Sequence, residues 1–422
     1  MEMIIIKKTQ DLIEFCKKCA SYEYVTLDTE FLRERTYYSK LCLVQMAHPG
    51  NTEDSAVLID PLSTELSLEP LYELFKNPSV VKVFHAARQD LEIFFTDKKI
   101  IPFPFFDTQV AAMVCGFGEQ VGYEKLVRSI CNEGLDKSSR FTDWSARPLT
   151  NKQMQYAIGD VTYLREIYEF LSNKIRKNGR QAWVEEELKI LLDPETYTVD
   201  PKFAYRRVKT RTSSWKMLAA IAELAQFREK YAQEKNIPRN RVFKDDCMME
   251  LAATRPRNND DLNKSRLLLR DARKGQIAEG ILYSIKQSDK YTSNDIEHQV
   301  PKKEKPQGKE GLSELLRVLL KAKAEEFGVA AKLIATSSDL DLIAGGEKDL
   351  NVFTGWRNEV FGHDALRLRE GKVALSANGK NVLVGKNVQI GKNCLIGHNT
   401  IIESNVIIGN NCSIGSNVII RN

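Results

Sequence analysis

No run of 18 or more uncharged apolar residues occurs anywhere in the 422-residue chain, so the sequence offers no candidate for a membrane-spanning helix. Cysteine is scarce, and eight spread over this length do not make the dense framework of a disulfide-stapled secreted protein. The opening MEMIIIKKTQDL has an apolar stretch of only a few residues and no small-residue cleavage site, which argues against a signal peptide. Together these absences lead us to expect a soluble, cytoplasmic protein of a reducing compartment. The low hydrophobicity of a disordered chain is missing too. Hydrophobic residues make up 42% and charged residues 28%, enough to build cores in roughly two to three domains.

Net charge is small, at +5, but uneven. Between Pro201 and Lys290, 21 Lys and Arg face 11 Asp and Glu, a local excess of +10, and the rest of the chain sums to −5. That asymmetry suits a chain in which one part meets a polyanion and another holds cations. It equally suits a solvated face on a helical domain.

The first 195 residues alternate short apolar runs with amphipathic segments. The runs Met3–Ile6, Tyr24–Asp28, Leu41–Met46, Ala56–Asp60 and Val80–His85 are expected strands. Segments Asp11–Ala20, Leu68–Phe75, Arg88–Phe95, Thr108–Cys115 and Thr150–Asn173 are expected helices. Strands in front and helices accumulating behind predict an α/β layer with a mixed sheet. Residues 183–211 predict a helix and then a boundary, marked by Pro194, Pro201 and a basic run. From Trp215 to about Lys286 the pattern is all helical. The polar stretch Ser288–Gly311 is expected to be a linker, after which helical patterns resume over Leu312–Ala344 and Trp356–Ser376.

The end of the chain changes character. Val384, Ile390, Ile396, Ile402, Ile408, Ile414 and Ile420 recur with a period of six, and Asn follows three residues after each of the first six. Gly follows the aliphatic residue at 385, 391, 397, 409 and 415, with Glu403 and Arg421 as departures. The pattern resembles the hexapeptide repeat of left-handed parallel β-helices. It predicts aliphatic and small residues pointing inward and Asn or Gly turning the corners, in about two coils. Three purposes stay open for it: joining copies into a homotrimer, adding edge structure, or no role as a fusion remnant.

Acids occupy three separated segments of the first domain. In Val25-Thr26-Leu27-Asp28-Thr29-Glu30-Phe31, the acids at i and i+2 share one face of a strand. In His85-Ala86-Ala87-Arg88-Gln89-Asp90, an acid opens a helix just after a strand. In Tyr156-Ala157-Ile158-Gly159-Asp160, a tyrosine and an acid share one helix face. Acids gathered on one site repel unless cations neutralise them, and hard divalent ions with oxygen ligands do so. Any one of these pairs alone would more often be an exposed face than a ligand set.

In combination and in this order, the segments resemble the DEDD family of 3′→5′ exonucleases, in its tyrosine-containing branch, and most closely the ribonuclease D family. The block Asp136-Lys-Ser-Ser-Arg-Phe-Thr-Asp143-Trp144-Ser-Ala-Arg147 is similar to that family as well. Residues 210–290 resemble an HRDC domain, a helical nucleic-acid-binding module, and residues 312–383 resemble a second. The resemblance implies a ribonuclease H-like α/β exonuclease domain over 1–200, then two all-α HRDC-like domains with a linker at 291–311. A short left-handed parallel β-helix tail over 384–422 lies outside the family pattern.

The resemblance also implies two divalent cations, Mg²⁺ or Mn²⁺. Asp28 would bridge both, Glu30 and Asp160 would complete the first site, and Asp90 would hold the second, partly through water. Tyr156 would position the attacking water. The implied activity is release of nucleoside 5′-monophosphates from RNA 3′ ends, with precursor tRNA as the substrate. Two other readings stand beside it: a DNA-directed proofreading or repair exonuclease, and a non-catalytic RNA-binding scaffold oligomerised by the tail.

Further residues divide between roles. Lys202, Arg206, Arg207, Lys209 and Arg211 are candidates for phosphate contacts. Phe31, Tyr37 and Tyr38 are candidates for stacking on terminal bases, with Phe31 equally fit for a core. His85 either touches substrate or is a buried, hydrogen-bonded histidine. Arg147 pairs with a phosphate or with Asp143. The Cys16–Cys19 pair has metal or redox spacing but no second pair nearby, and His398 lies in a fragment too short for a substrate cleft.

Overall fold

The structure is a computed structural model. It describes residues 3–50, 52, 54–136, 142–295, 309–378, 381–386, 389–398, 400–402 and 406–421. Parts of several expectations lie outside these residues: Lys137–Phe141 of the block before Trp144, 296–308 of the linker, and Asn387, Val388, Asn399, Glu403 and Asn405 of the repeat. By compactness the chain forms two units. One comprises Met1–Thr108, Gly122–Ser172 and Glu185–Lys302, the other Gln109–Val121, Asn173–Val184 and Lys303–Asn422.

Six strands form one sheet: β1 (Ile4–Ile6), β2 (Tyr24–Leu32), β3 (Lys40–Ala47), β4 (Ala56–Ile59), β5 (Val81–Phe84) and β6 (Phe105–Asp107), in the order β1-β4-β3-β2-β5-β6. Pairings β2/β3 and β3/β4 are antiparallel, while β1/β4, β2/β5 and β5/β6 are parallel, so the sheet is mixed. The helices of this part of the chain are α1 (Thr9–Cys19), α2 (Glu69–Lys76), α3 (Arg88–Lys98), α4 (Thr108–Val114), α5 (Tyr123–Leu126), α6 (Asn151–Lys177) and α7 (Gln181–Leu192). Strand β6 falls outside the expected set. Its three residues sit just after Pro102 and Pro104, too few to show alternation.

Helix α6 follows from its pattern. Ala157, Asp160, Val161, Leu164, Ile167 and Leu171 recur at helical spacing and are all buried. It covers the face of β2 that bears Thr26, whose hydroxyl donates to the Val161 carbonyl at 2.7 Å. Helix α3 covers the other face, entered through a turn in which Ala86 adopts φ +56°. That uncommon conformation for a residue with a Cβ is held by Asp107, whose carboxylate accepts from the amides of Ala86 at 3.1 Å and Ala87 at 2.9 Å.

The first helical domain comprises a short helical segment (Pro201–Arg207), then α8 (Trp215–Lys235), α9 (Arg239–Val242), α10 (Asp245–Thr254), α11 (Asn259–Asn263) and α12 (Gly275–Ser288). Its core is built from Ile221, Leu224, Met248, Leu251, Leu268, Ile281 and Ile285. The second unit holds α13 (Glu310–Phe327), α14 (Ala331–Ile334), α15 (Ser337–Gly345), α16 (Gly355–Arg357) and α17 (His363–Arg369), around Leu316, Leu319, Ile343 and Phe361. Within it the Trp183 ring stacks on Trp356 at 4.5 Å, and the Arg180 guanidinium lies over Trp183 while donating to the carbonyls of Val114 and Phe327. Residues Trp356–Ser376, expected to be helical throughout, end instead in strand β7 (Val373–Asn378), which pairs antiparallel with β8 (Asn381–Lys386). Among the described residues no helix is long and apolar enough to cross a membrane.

In the tail, six two-residue strands pair in parallel at an offset of 18 residues: β9 (Gln389–Ile390) with β12 (Ile407–Ile408), β10 (Leu395–Ile396) with β13 (Ser413–Ile414), and β11 (Ile401–Ile402) with β14 (Ile419–Ile420). Three hexapeptides therefore complete one turn. Asn393, Asn411 and Asn417 turn the corners with φ near +58°, a conformation that asparagine tolerates better than other side chains. A Cβ at Gly391 or Gly397 would sit 2.5 Å or less from the backbone of the next coil, so glycine there permits stacking.

Candidate active site

Strand β2 lies between β3 and β5, and its alternation places Asp28 and Glu30 on the face covered by α6. Helix α6 brings Asp160 to the same place. Carboxylate oxygens of Asp28, Glu30 and Asp160 lie within 4.8 Å of one another, with Asp160 buried and the other two half-buried. Burial, and then the negative charges of Asp90, Asp160 and Glu30, push the Asp28 carboxyl well above its ordinary range. Three mutually repelling carboxylates with oxygen-only donors match a hard divalent cation, so the residues present fit a metal centre.

Asp90, in the first turn of α3, is buried and is not part of that three-residue group. Its carboxylate accepts from the hydroxyl of Thr29, which points to the α3 face of β2 between the two acids. Burial pushes Asp90 up to about 7, while the Thr29 bond pulls the other way. Asp90 is nonetheless close, since its charge is the foremost neighbouring influence on Asp28. Thr29 and Asp107 are thus supporting residues that the sequence does not single out. A β2 side chain between two acids and an acid ending a short strand carry no pattern of their own.

Tyr156 is half-buried one turn before Asp160, its ring 6.0 Å from that of the buried Trp144. A second tyrosine, Tyr123 of α5, escapes the sequence reading. Its hydroxyl donates to the Gly159 carbonyl at 2.9 Å, and burial followed by the charges of Asp160 and Asp28 pushes its phenol far up. His85 is half-buried, with Nδ1 2.9 Å from the Thr108 hydroxyl and the ring 5.5 Å from Tyr123. A bond at Nδ1 on a half-buried ring fits either alternative.

Candidate contacts to nucleic acid are scattered. Phe31 is half-buried where the β2/β3 ladder skips Cys42, Glu30 facing Leu43 and Phe31 facing Leu41. Tyr37, expected to stack on a base, is instead a docking residue. Its hydroxyl donates to buried Glu229 of α8, accepts from Arg239 at 2.9 Å and Gln233 at 3.1 Å, and the Arg239 guanidinium lies 4.7 Å over its ring. Burial pushes the Glu229 carboxyl up, but Arg239 and Tyr37 outweigh it and hold the group below its usual range. Tyr38 is exposed at the edge of the Tyr37 ring. Lys202, Arg206, Arg207, Lys209 and Arg211 are all exposed, Lys202 and Arg206 over the Phe203 ring, while Ala204 and Val208 between them anchor the segment in the core of the helical domain.

Arg147 does not pair with Asp143. Its guanidinium forms a two-pronged pair with Asp60, both hydrogen bonds at 2.8 Å, and donates to the carbonyls of Trp144, Ala146 and Cys42. Asp143 instead accepts from Ser145. Distance in the chain hides the pairing with Asp60. Cys16 and Cys19 are buried on α1, where burial pushes the Cys16 thiol up to about 12. His398 is exposed, its amide donating to the Ser416 hydroxyl.

Comparison with known proteins finds relatives along most of the chain. The family model for 3′-5′ exonuclease matches residues 3–176, that for the HRDC domain matches 217–282, and that for bacterial transferase hexapeptide (six repeats) matches 387–422. Ribonuclease D of Jannaschia sp. (strain CCS1) is 58% identical over 379 residues, covering 90% of this chain and 98% of that protein. Ribonuclease D of Granulibacter bethesdensis is 44% identical over 381 residues, covering 90% and 95%. Among solved structures, Escherichia coli RNase D, an exoribonuclease involved in structured RNA processing, superposes with a TM-score of 0.75 at 26% identity. That match covers 88% of this chain and 99% of the other.

Proposed function

The chain belongs to the ribonuclease D family and is a 3′→5′ exoribonuclease, and from that premise we propose a two-metal hydrolysis that trims the 3′ ends of precursor tRNA and other structured RNAs. The observation that carries the mechanism is the approach of Asp28, Glu30 and Asp160 to within 4.8 Å of one another. In this reading Asp28, Glu30 and Asp160 hold one divalent ion, and Asp28 with Asp90 holds a second. Bound there, such ions lower the pKa of the attacking water and neutralise charge building on the scissile phosphate.

The remaining work falls to the chain. Tyr156 orients the water by a hydrogen bond. A phenol with a pKa near 10 is a poor base at neutral pH, so its contribution is direction rather than proton removal. Thr29 holds Asp90 in place from the opposite face of β2. Phe31 stacks on the terminal base, and His85, fixed through Thr108, lines its approach. The exposed cations from Lys202 to Arg211 lead the phosphates of a single strand inward. Residues 312–383 act as a second HRDC-like module.

The tail is read as a two-coil parallel β-helix that joins three copies. Its outward-facing Leu395 and Ile407 are 73% and 74% exposed, and Ile401 and Ile419 are more than half exposed. Light scattering on the full chain tests this, and a monomeric mass would end it.

The catalytic reading is tested with a 5′-labelled RNA bearing an unstructured 3′ tail and its DNA counterpart, each with Mg²⁺, Mn²⁺ or EDTA, beside an Asp28→Asn variant. A metal-dependent ladder shortening from the 3′ end of RNA, absent in the variant, is the expected result. Equal shortening of DNA would favour a repair nuclease. No ladder with RNA binding retained would leave a scaffold.

A further inference from the structure

We infer that Gln45 is a positioning residue for the Asp28 carboxylate. Gln45 lies in the middle of β3 and is fully buried, yet neither its Oε1 nor its Nε2 has a hydrogen-bond partner among the described residues. In the β2/β3 ladder it stands directly opposite Asp28. Opposite residues of an antiparallel pair share a face, with Cβ atoms about 4.5–5.5 Å apart. The carboxamide therefore rises beside the Asp28 carboxyl, on the face that α6 covers.

Most of the neighbours on β3, β4 and α6 at this place are apolar. Leu58 is the opposite residue on β4, Leu43 and Ala47 flank Gln45 two positions away on β3, and Ala157 and Val161 come from α6. A buried amide without partners is destabilising, and methionine, of similar length, would fill the same space without that cost. A polar group kept under these conditions finds its partner in another state of the site. A carboxylate oxygen of Asp28 that holds a cation keeps a second lone pair for a donor, and Nε2 of Gln45 is an uncommitted donor on the facing strand. Such donors fix the orientation of a ligand carboxylate and tune its hold on the ion. The inference rests on the reading of Asp28 as a metal ligand.

The test compares wild type, Gln45→Met and Asp28→Asn by calorimetric titration with Mn²⁺ in the absence of RNA, by kcat and KM on the labelled RNA, and by thermal unfolding in EDTA. We expect Gln45→Met to unfold in EDTA at the wild-type temperature or above. Its Mn²⁺ affinity and kcat should fall together, on the order of 10-fold or more, with KM for RNA unchanged. Wild-type Mn²⁺ affinity in this variant would overturn the inference, as would a lowered unfolding temperature with affinity and kcat retained. Should Gln45→Met fail to fold, Gln45→Leu takes its place. Failure of both would overturn the idea, because the amide would then be stabilising the metal-free fold. If Asp28→Asn binds Mn²⁺ as wild type does, the metal reading itself is at fault, separately from Gln45.

Discussion

Replacing Asp90 with asparagine should stabilise the metal-free protein, and more so at alkaline pH. The Asp90 carboxyl is buried beside other acids, and the folded state raises it to about 7 from an unfolded value near 3.9. Because the folded state holds its proton more tightly, it binds more protons than the unfolded chain between about pH 4 and 7. Stability from this group is therefore full below about pH 4, declines as pH rises toward 7, and is level above. The displacement of about three pH units corresponds to about 4 kcal/mol at 1.36 kcal/mol per unit. About 1–2 kcal/mol of that is already lost at pH 5. Asparagine keeps an oxygen to accept the Thr29 hydroxyl while removing the ionisation. Thermal unfolding in EDTA should show Asp90→Asn exceeding wild type by about 2–3 kcal/mol more at pH 8 than at pH 5, roughly 5–10 °C. Added Mg²⁺ should stabilise wild type more than the variant, since it binds the folded carboxylates. An equal gap at both pH values would refute the reasoning.

Tyr156→Phe should lower kcat about 100-fold, the scale of one lost directing hydrogen bond, with KM for RNA unchanged, as steady-state kinetics would show. Replacing Arg206, Arg207 and Lys209 together with alanine should raise KM and flatten its salt dependence by about 0.7 in log–log slope for each phosphate left without its cation, with kcat at saturating RNA retained. Arg147→Ala should cost about 3–5 kcal/mol by leaving Asp60 buried without its cation. Although burial pushes Asp60 up, Arg147 holds it below its ordinary range, so the gap from wild type in thermal unfolding should close as pH falls through that range. Tyr37→Phe should cost about 1.5–3 kcal/mol by removing hydrogen bonds to charged Glu229 and Arg239. A purely base-stacking role would predict an unchanged unfolding temperature and an unchanged KM instead, because phenylalanine keeps the ring.

Local pattern makes much of this legible. Five of the six strands carry β-branched or apolar runs long enough to show, and the period of two by itself places Asp28 and Glu30 on one face. The hexapeptide spacing likewise corresponds to parallel pairing at 18 residues. What stays hidden depends on register or on distant partners. Tyr37 looks like a stacking residue because an aromatic pair beside a catalytic motif has that local appearance, while Glu229 lies 192 residues further on. Arg147 has an acid four residues before it and takes one 87 residues away. Gln45 lies inside a run that looks uniformly like core, and only the strand register sets it across from Asp28.

The alternation of β2 explains why the acids do not form one symmetrical group. Asp28 and Glu30 face α6 and meet Asp160, while Thr29 faces α3 and holds Asp90. One strand thus supplies both sides of the site, and each helix is tied to it independently. Helix α6 is fixed by Thr26 on the Val161 carbonyl and α3 by Thr29 on Asp90, while Asp107 of β6 holds the turn before α3. A one-residue slip of β2 would turn Asp28 and Glu30 toward α3 and Thr29 toward α6, breaking the Thr26–Val161 and Thr29–Asp90 bonds and the meeting with Asp160 at once. Apolar packing alone would resist such a slip, because Val25 and Leu27 are fully buried on the α3 side. The geometry of the acids is therefore set by the core of the sheet, and a cation would be received by carboxylates already gathered rather than having to gather them.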